Sequence, residues 1–193
     1  MSAITGARAY NSGTMHHHDP PAAYRFCPKC GIGLETKSLK DGEPSRLICP
    51  GCDFIFYLDP KVAACTICTV EGGIVLLKRG IEPQRGKWVF PGGFVDRGES
   101  VQVAAVRETL EEVNLRVSLT GILDVYSFPG NDVVVVVYAA QVNGGELKAC
   151  DECQEVRAFP PESIPWADLA FASTRAALKD YIHRFFPRVR VAR

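Results

Sequence analysis

Between Pro91 and Leu115 the chain reads PGGFVDRGESVQVAAVRETLEEVNL, and no other stretch restricts the fold so tightly. A Pro91-Gly92-Gly93 turn is expected to open it, because glycine tolerates tight geometry and close backbone approach. Val103, Val106, Leu110 and Val113 then recur at spacings of three and four, which predicts a helix with one apolar stripe. Glu108, Glu111 and Glu112 lie at i, i+3 and i+4, so their carboxylates share a second face. Like charges so spaced destabilise a helix by roughly 0.2–0.5 kcal/mol per pair. A divalent cation would more than offset that repulsion, and hard oxygen donors on one rigid face suit magnesium or manganese.

The segment resembles the signature of Nudix hydrolases: a glycine, five residues, a glutamate, seven residues, then Arg-Glu-x-x-Glu-Glu. Gly93, Glu99 and the run Arg107 to Glu112 meet every spacing. Two positions depart from the pattern, Thr109 where an aliphatic is commonest and Asn114 where glycine is. Asn114 is a mild change, since asparagine also ends helices in the left-handed region. The resemblance implies an α/β/α sandwich with a mixed sheet between helices. It also implies roles: Glu108, Glu111 and Glu112 hold the metals, and Glu99 orients Arg107. The base is expected in the box or on a later loop, at Glu155 with Glu152 as the fallback.

A second pattern precedes it. Cys27-Pro-Lys-Cys30 and Cys49-Pro-Gly-Cys52 are separated by eighteen residues, the arrangement of two thiolate knuckles that close a tetrahedral zinc site. A module of this length is too short to fold on an apolar core alone, and zinc worth roughly 10–16 kcal/mol would supply the folding energy. Four protein ligands leave no open position, so the site is structural. Its charges alternate (Lys29, Lys37, Lys40 and Arg46 against Glu35, Asp41, Glu43 and Asp53), a poor phosphate track. The run Phe54 to Leu58 is expected to pack the ribbon onto the next domain.

These boundaries divide the chain into a flexible arm (1–24, with His16, His17 and His18), a zinc ribbon (25–58) and a Nudix domain (59–193). Strands are expected at Val62–Val70, Gly73–Lys78, Val117–Tyr126, Asp132–Val142 and Glu155–Pro160, and a final helix near Ser173–Phe185. Mixed strands with two separated helices suit an α/β sandwich. Cys65 and Cys68 read as core residues. Cys150 and Cys153, in the acidic CDEC run, are read as surface thiols, with chelation or a redox disulfide as alternatives. The formal net charge is zero, which gives no global field for nucleic acid or an anionic membrane. No apolar run approaches the roughly 20 residues of a membrane span. Eight cysteines without a secretory leader point to a reducing, cytoplasmic setting.

The oxygen-rich cluster fits hydrolysis of a phosphoanhydride in a nucleotide; no His-Ser or His-Cys pair suggests a covalent nucleophile. Arg79 and Arg85 are candidate phosphate contacts, with surface salt bridges as the alternative. Tyr126 and Phe128 are candidate stacking rings, and Trp88 reads as core. A ribbon joined to this box is found in the NADH pyrophosphatases, whose downstream Ser-Gln-Pro-Trp-Pro-Phe signature is absent here. It is also found in the plant chloroplast FAD pyrophosphatase and its bacterial relatives. The chain resembles these in Asp59-Pro60-Lys61, in Gly86-Lys87-Trp88 and in the tail Ile164 to Ser173. FAD, giving FMN and AMP, is therefore the leading expected substrate, ahead of ADP-ribose or NADH. A ligand-sensing protein whose ribbon binds nucleic acid or a partner is the alternative of another class. A homodimer, common in the superfamily, enters by analogy only.

Overall fold

A computed structural model describes residues 24–150 and 152–189. The expected arm with its three histidines lies outside the described residues. The chain divides into two compact units, with the boundary between Asp59 and Pro60.

In the first unit, β1 (Glu35–Lys37), β2 (Arg46–Ile48) and β3 (Ile55–Phe56) form an antiparallel sheet in that order. Two knuckles flank it with the same hydrogen bonding. Cys27 N donates to Ile32 O and Gly31 N to Cys27 O; Cys49 N donates to Phe54 O and Asp53 N to Cys49 O. Gly31 and Asp53 both take positive φ (77° and 54°), which turns each knuckle back under its sulfurs. Phe54 and Phe56 pack edge to face at 6.2 Å and Tyr24 lies 4.9 Å from Phe56, so these partly exposed aromatics pack on one another within the ribbon.

The second unit contains β4 (Lys61–Ile67), β5 (Thr69–Val70), β6 (Gly73–Arg79), β7 (Trp88–Val89), β8 (Gly92–Phe94), α1 (Val101–Val113), β9 (Leu115–Tyr126), β10 (Val133–Gly145), β11 (Cys153–Phe159) and α2 (Ala172–Phe185). Its strands form the expected mixed sheet and a second, antiparallel one. One runs β8-β4-β10-β9, with β4 and β10 parallel and the other pairs antiparallel; the other, antiparallel, is β11-β6-β5, with β7 also on β6. The run predicted as one strand from Val62 to Val70 breaks at Cys68 because the chain there leaves the first sheet for the second. Glu71 and Gly72, both at positive φ, form the two-residue turn of the β5–β6 hairpin.

Alternation along the central strands sends successive side chains to opposite faces. Ala64 and Tyr138 join Ala104 and Ala105 of α1 in one cluster. Cys65, Ile67, Val137 and Ala139 face the other way, into a larger core with Ala177, Leu178, Tyr181 and Ile182 of α2. Each helix therefore covers its own face of the mixed sheet, an α/β/α sandwich as expected. Trp88 (8% exposed), Cys65 (6%) and Cys68 (0%) are core residues, as read from sequence.

Helix α1 corrects the sequence reading. Its buried residues are Ala104, Ala105, Thr109 and Val113, whereas Val103 and Leu110 of the expected stripe are 58% and 45% exposed. The inward face follows positions 101, 104, 105, 108, 109, 112 and 113, and Glu108 and Glu112 occupy two of them. Two carboxylates on the inner face conceal its periodicity from any hydropathy pattern.

Candidate active site

The helix that carries the carboxylates is capped at both ends. Ser100 Oγ accepts from Val103 N at 3.3 Å. Asn114 ends the helix in the left-handed region (φ 57°, ψ 29°), as its resemblance to the glycine position implied, and its amide donates to Leu110 O. Between the caps, Thr109 is fully buried at the position where an aliphatic was expected.

Gly92 and Gly93 form strand rather than a turn: Gly92–Phe94 pairs antiparallel with β4. Both glycines are required by close approach. A Cβ on Gly92 (φ 152°) would fall 2.4 Å from Cys65 Sγ, and one on Gly93 would lie 2.5 Å from the Glu108 carboxylate. The Gly92 amide donates to Glu112 Oε2 at 2.7 Å. Thus β8 presents bare backbone to the two inward glutamates.

Arg107 organises the outer carboxylates. Its Nε and Nη2 grip both oxygens of Glu99 at 2.9 Å, and its Nη1 bonds Glu108 and Glu111 at 2.8 Å each. The Arg107 hydrogen bonds hold the Glu99 carboxyl below its usual range. Glu112 is different, since among the described residues no ion pair reaches it. Burial first, then repulsion from Glu108 and Glu152, pushes its carboxyl up to about 8, against the opposing Gly92 amide and the field of Arg79. Burial also raises Glu108, against its Arg107 contact.

The two acids weighed on the later segment are placed differently. Glu152, exposed, lies within electrostatic reach of both Glu108 and Glu112. Glu155 sits on β11 opposite Lys78 and pairs with Arg157 at 2.5 Å. Among the described residues Arg79 has no salt-bridge partner; its Nε donates to Pro83 O at 2.7 Å, its guanidinium lies 5.2 Å from the Phe171 ring centre, and its charge is felt at Glu112. Arg85 and Phe128 are exposed. Tyr126 is corrected: only 7% exposed, it belongs to the α2 core and donates to Asp180 Oδ2 at 3.0 Å, which leaves no free face for stacking.

The four ribbon cysteines place their sulfurs within 4.8 Å of one another, with contacts of 3.4, 3.5 and 3.7 Å. Tetrahedral ligands at a zinc–sulfur distance of about 2.3 Å would stand roughly 3.8 Å apart, so the cage fits that ion. The Lys29 amide points to Cys27 Sγ at 3.4 Å, supporting a thiolate.

A two-faced α/β sandwich with half-buried glutamates beneath a glycine strand, preceded by a four-cysteine ribbon, fits a hydrolase of the phosphoanhydride-cleaving class. The sequence model of the NUDIX domain family matches residues 58–182, and that of the Nudix N-terminal zinc ribbon matches residues 25–58. The chain belongs to the Nudix hydrolase family. It is 40% identical over 130 residues to the ADP-ribose pyrophosphatase of Methanocaldococcus jannaschii, covering 65% of this chain and 75% of that protein. The NAD-capped RNA hydrolase of Deinococcus radiodurans is 28% identical over 166 residues, 82% of this chain but 56% of that one. The chain thus spans little more than half the length of that relative. A Nudix hydrolase structure from Nitrosomonas europaea superposes with a TM-score of 0.79 at 36% identity, covering 84% of this chain and 93% of its own.

Proposed function

We propose that the chain hydrolyses the diphosphate linkage of a nucleotide joined to a second group, using Mg2+ or Mn2+. The observation that carries this reading is Glu112: a carboxylate shielded from water beside Glu108, held by a backbone amide and lacking an ion pair among the described residues. Oxygen-only donors at Glu108, Glu111 and Glu112 fit a hard divalent cation. That cation, when bound, would neutralise diphosphate charge and acidify a water. Arg107 sets Glu108 and Glu111 side by side, and Glu99 fixes Arg107. Glu152, poised at the rim, takes the proton from the attacking water; Glu155, engaged with Arg157, does not. Arg79 and Arg85 are the phosphate contacts and Phe128 the exposed ring for a base or flavin. The ribbon holds Zn2+ structurally. We place the chain in a reducing cytoplasm, which would keep the cysteines outside the zinc site as thiols.

FAD, cleaved to FMN and AMP, is the leading substrate. Supporting this, two blocks that carry the resemblance to the FAD-cleaving group meet in space. Lys87 Nζ pairs with Asp168 Oδ1 at 2.9 Å, and Ala170 N donates to Trp88 O at 2.9 Å. ADP-ribose is the second reading, favoured by the archaeal relative; it shares with FAD the adenosine diphosphate half. A nucleic-acid role for the ribbon has less support, because Lys29 and Arg46 lie over Phe54 and Tyr57 rings at 4.9 Å and Lys37 pairs with Glu35.

Product analysis with Mg2+ on FAD, NADH, NAD, ADP-ribose and diadenosine polyphosphates tests the proposal. FMN and AMP from FAD at the highest kcat/KM supports the flavin reading. Preference for ADP-ribose installs the second reading, and no turnover with any divalent metal overturns the activity.

A further inference from the structure

The CDEC run is not used by the proposed chemistry, yet it is fastened to it. Cys153 N donates to Cys150 O at 2.9 Å, closing a tight turn with Glu152 between the two thiols. Cys150 N donates to the Glu112 carbonyl at 3.2 Å, so one end of the turn hangs from the carboxylate helix. Gly80 N donates to Glu152 O at 2.8 Å, and a Cβ on Gly80 would lie only 2.6 Å from that oxygen. The turn is therefore clamped between the end of α1 and the loop that follows β6, with no slack at Glu152. A turn of this kind brings its first and last Cα atoms within roughly 7 Å, and disulfides bridge Cα atoms about 4.4–6.8 Å apart. Both cysteines are partly exposed to solvent.

We propose that Cys150 and Cys153 are an oxidisable dithiol, and that its closure to a disulfide lowers turnover by moving Glu152 away from Glu108 and Glu112. This rests on the reading of Glu152 as the base. The oxidant is a small-molecule disulfide. The Cys150 thiolate attacks one of its sulfurs and releases one thiol, and the Cys153 thiolate then displaces the second. Two electrons pass from the protein sulfurs to the reagent, and the two thiol protons leave on the released thiols. Joining the sulfurs locks the two ends of the turn to one another, and the change falls on the Glu152 side chain between them, whose carbonyl is pinned by Gly80.

The test uses the zinc-loaded full chain treated with oxidised glutathione. Peptide mapping is expected to find a Cys150–Cys153 disulfide, lighter by two hydrogens, with zinc content unchanged. Hydrogen exchange at the Gly80 and Cys150 amides is expected to accelerate, a readout that needs no turnover. On the best nucleotide of the panel, kcat should fall on the order of 100-fold, the low end of what a positioned base contributes, with KM little changed and full recovery on reduction. The C150S/C153S variant should match the untreated enzyme and ignore the oxidant; E152Q should be slow already and lose nothing more. Mapping that finds only free thiols or glutathione adducts there overturns the proposal. So does a disulfide that leaves both exchange and kcat unaltered, or equal inactivation of C150S/C153S. If the panel shows no turnover, the exchange and mapping results still decide the dithiol, while the diphosphatase reading falls separately.

Discussion

The hydroxyls of Thr66 and Thr109 meet at 2.7 Å in an interior where both residues are fully buried. Thr109 also donates to Ala105 O at 2.7 Å. Its one hydrogen is thereby used, so Thr66 must be the donor between the two. A hydroxyl relay thus runs from the central strand β4 into the backbone of α1, through the residue next to Glu108.

The relay predicts an asymmetric double-mutant cycle. Thr109→Val strands the Thr66 hydroxyl and should cost about 1–3 kcal/mol, the price of an unsatisfied buried donor. Thr66→Val removes that donor while the bond to Ala105 persists, so its cost should be smaller. The double valine variant should recover most of the loss. Urea denaturation without metal measures all three; strictly additive losses would sink the relay.

Glu112→Gln separates stability from function. It removes a buried ionisable group, so the metal-free melting temperature should stay level or rise. Magnesium-dependent turnover should fall by about 100-fold or more, because a ligand that helps stabilise transition-state charge is gone. Full activity in this variant would refute the assigned cluster.

The adjacent glycines should fail in different ways. In Gly92→Ala the new methyl meets Cys65 in the core, and overpacking should cost about 1–3 kcal/mol of stability. In Gly93→Ala the methyl meets only the flexible end of Glu108, so stability should largely hold while kcat drops. Thermal melts paired with kcat and KM for each variant check the contrast.

Chelation should unfold the ribbon. Metal analysis should find one zinc per chain, and a strong chelator should abolish amide protection across residues 25–58 as the roughly 10–16 kcal/mol of binding energy is lost. Retained protection after complete zinc removal would show that the sheet stands without the ion.

Much of this architecture was legible because local rules and tertiary demands agree. Asn114 reads as a left-handed helix end and is one; Glu71-Gly72 reads as a turn between strands and forms one with two positive φ values. Legibility failed where a tertiary constraint overrode local pattern. Glutamates on the inner face of α1 diverted the hydropathy period onto Val103 and Leu110, which are exposed. Gly92 and Gly93 look like turn residues, but their lack of side chains serves an edge strand pressed between Cys65 and Glu108. Tyr126 ends a strand whose alternation points it inward, and only the partner Asp180, distant in sequence, reveals where its hydroxyl goes. Glu152 and Glu155 lie three residues apart, and that Glu155 stands opposite Lys78 and pairs with Arg157 follows from the β11–β6 register, which no local pattern gives.

Strand β4 is a wall shared by two rooms. Ala64 and Thr66 furnish the side beneath the carboxylate helix, and Cys65 and Ile67 the side packed by α2. A one-residue slip turns every side chain of a strand to the opposite face. Adding or removing a single residue in β4 would therefore press isoleucine against the glutamates and send a threonine among the rings of Tyr181 and Phe159. Point substitutions there are graded in effect; a change in length is all or none. The number of residues between Pro60 and Cys68 is for this reason as much a part of the active site as the glutamates themselves.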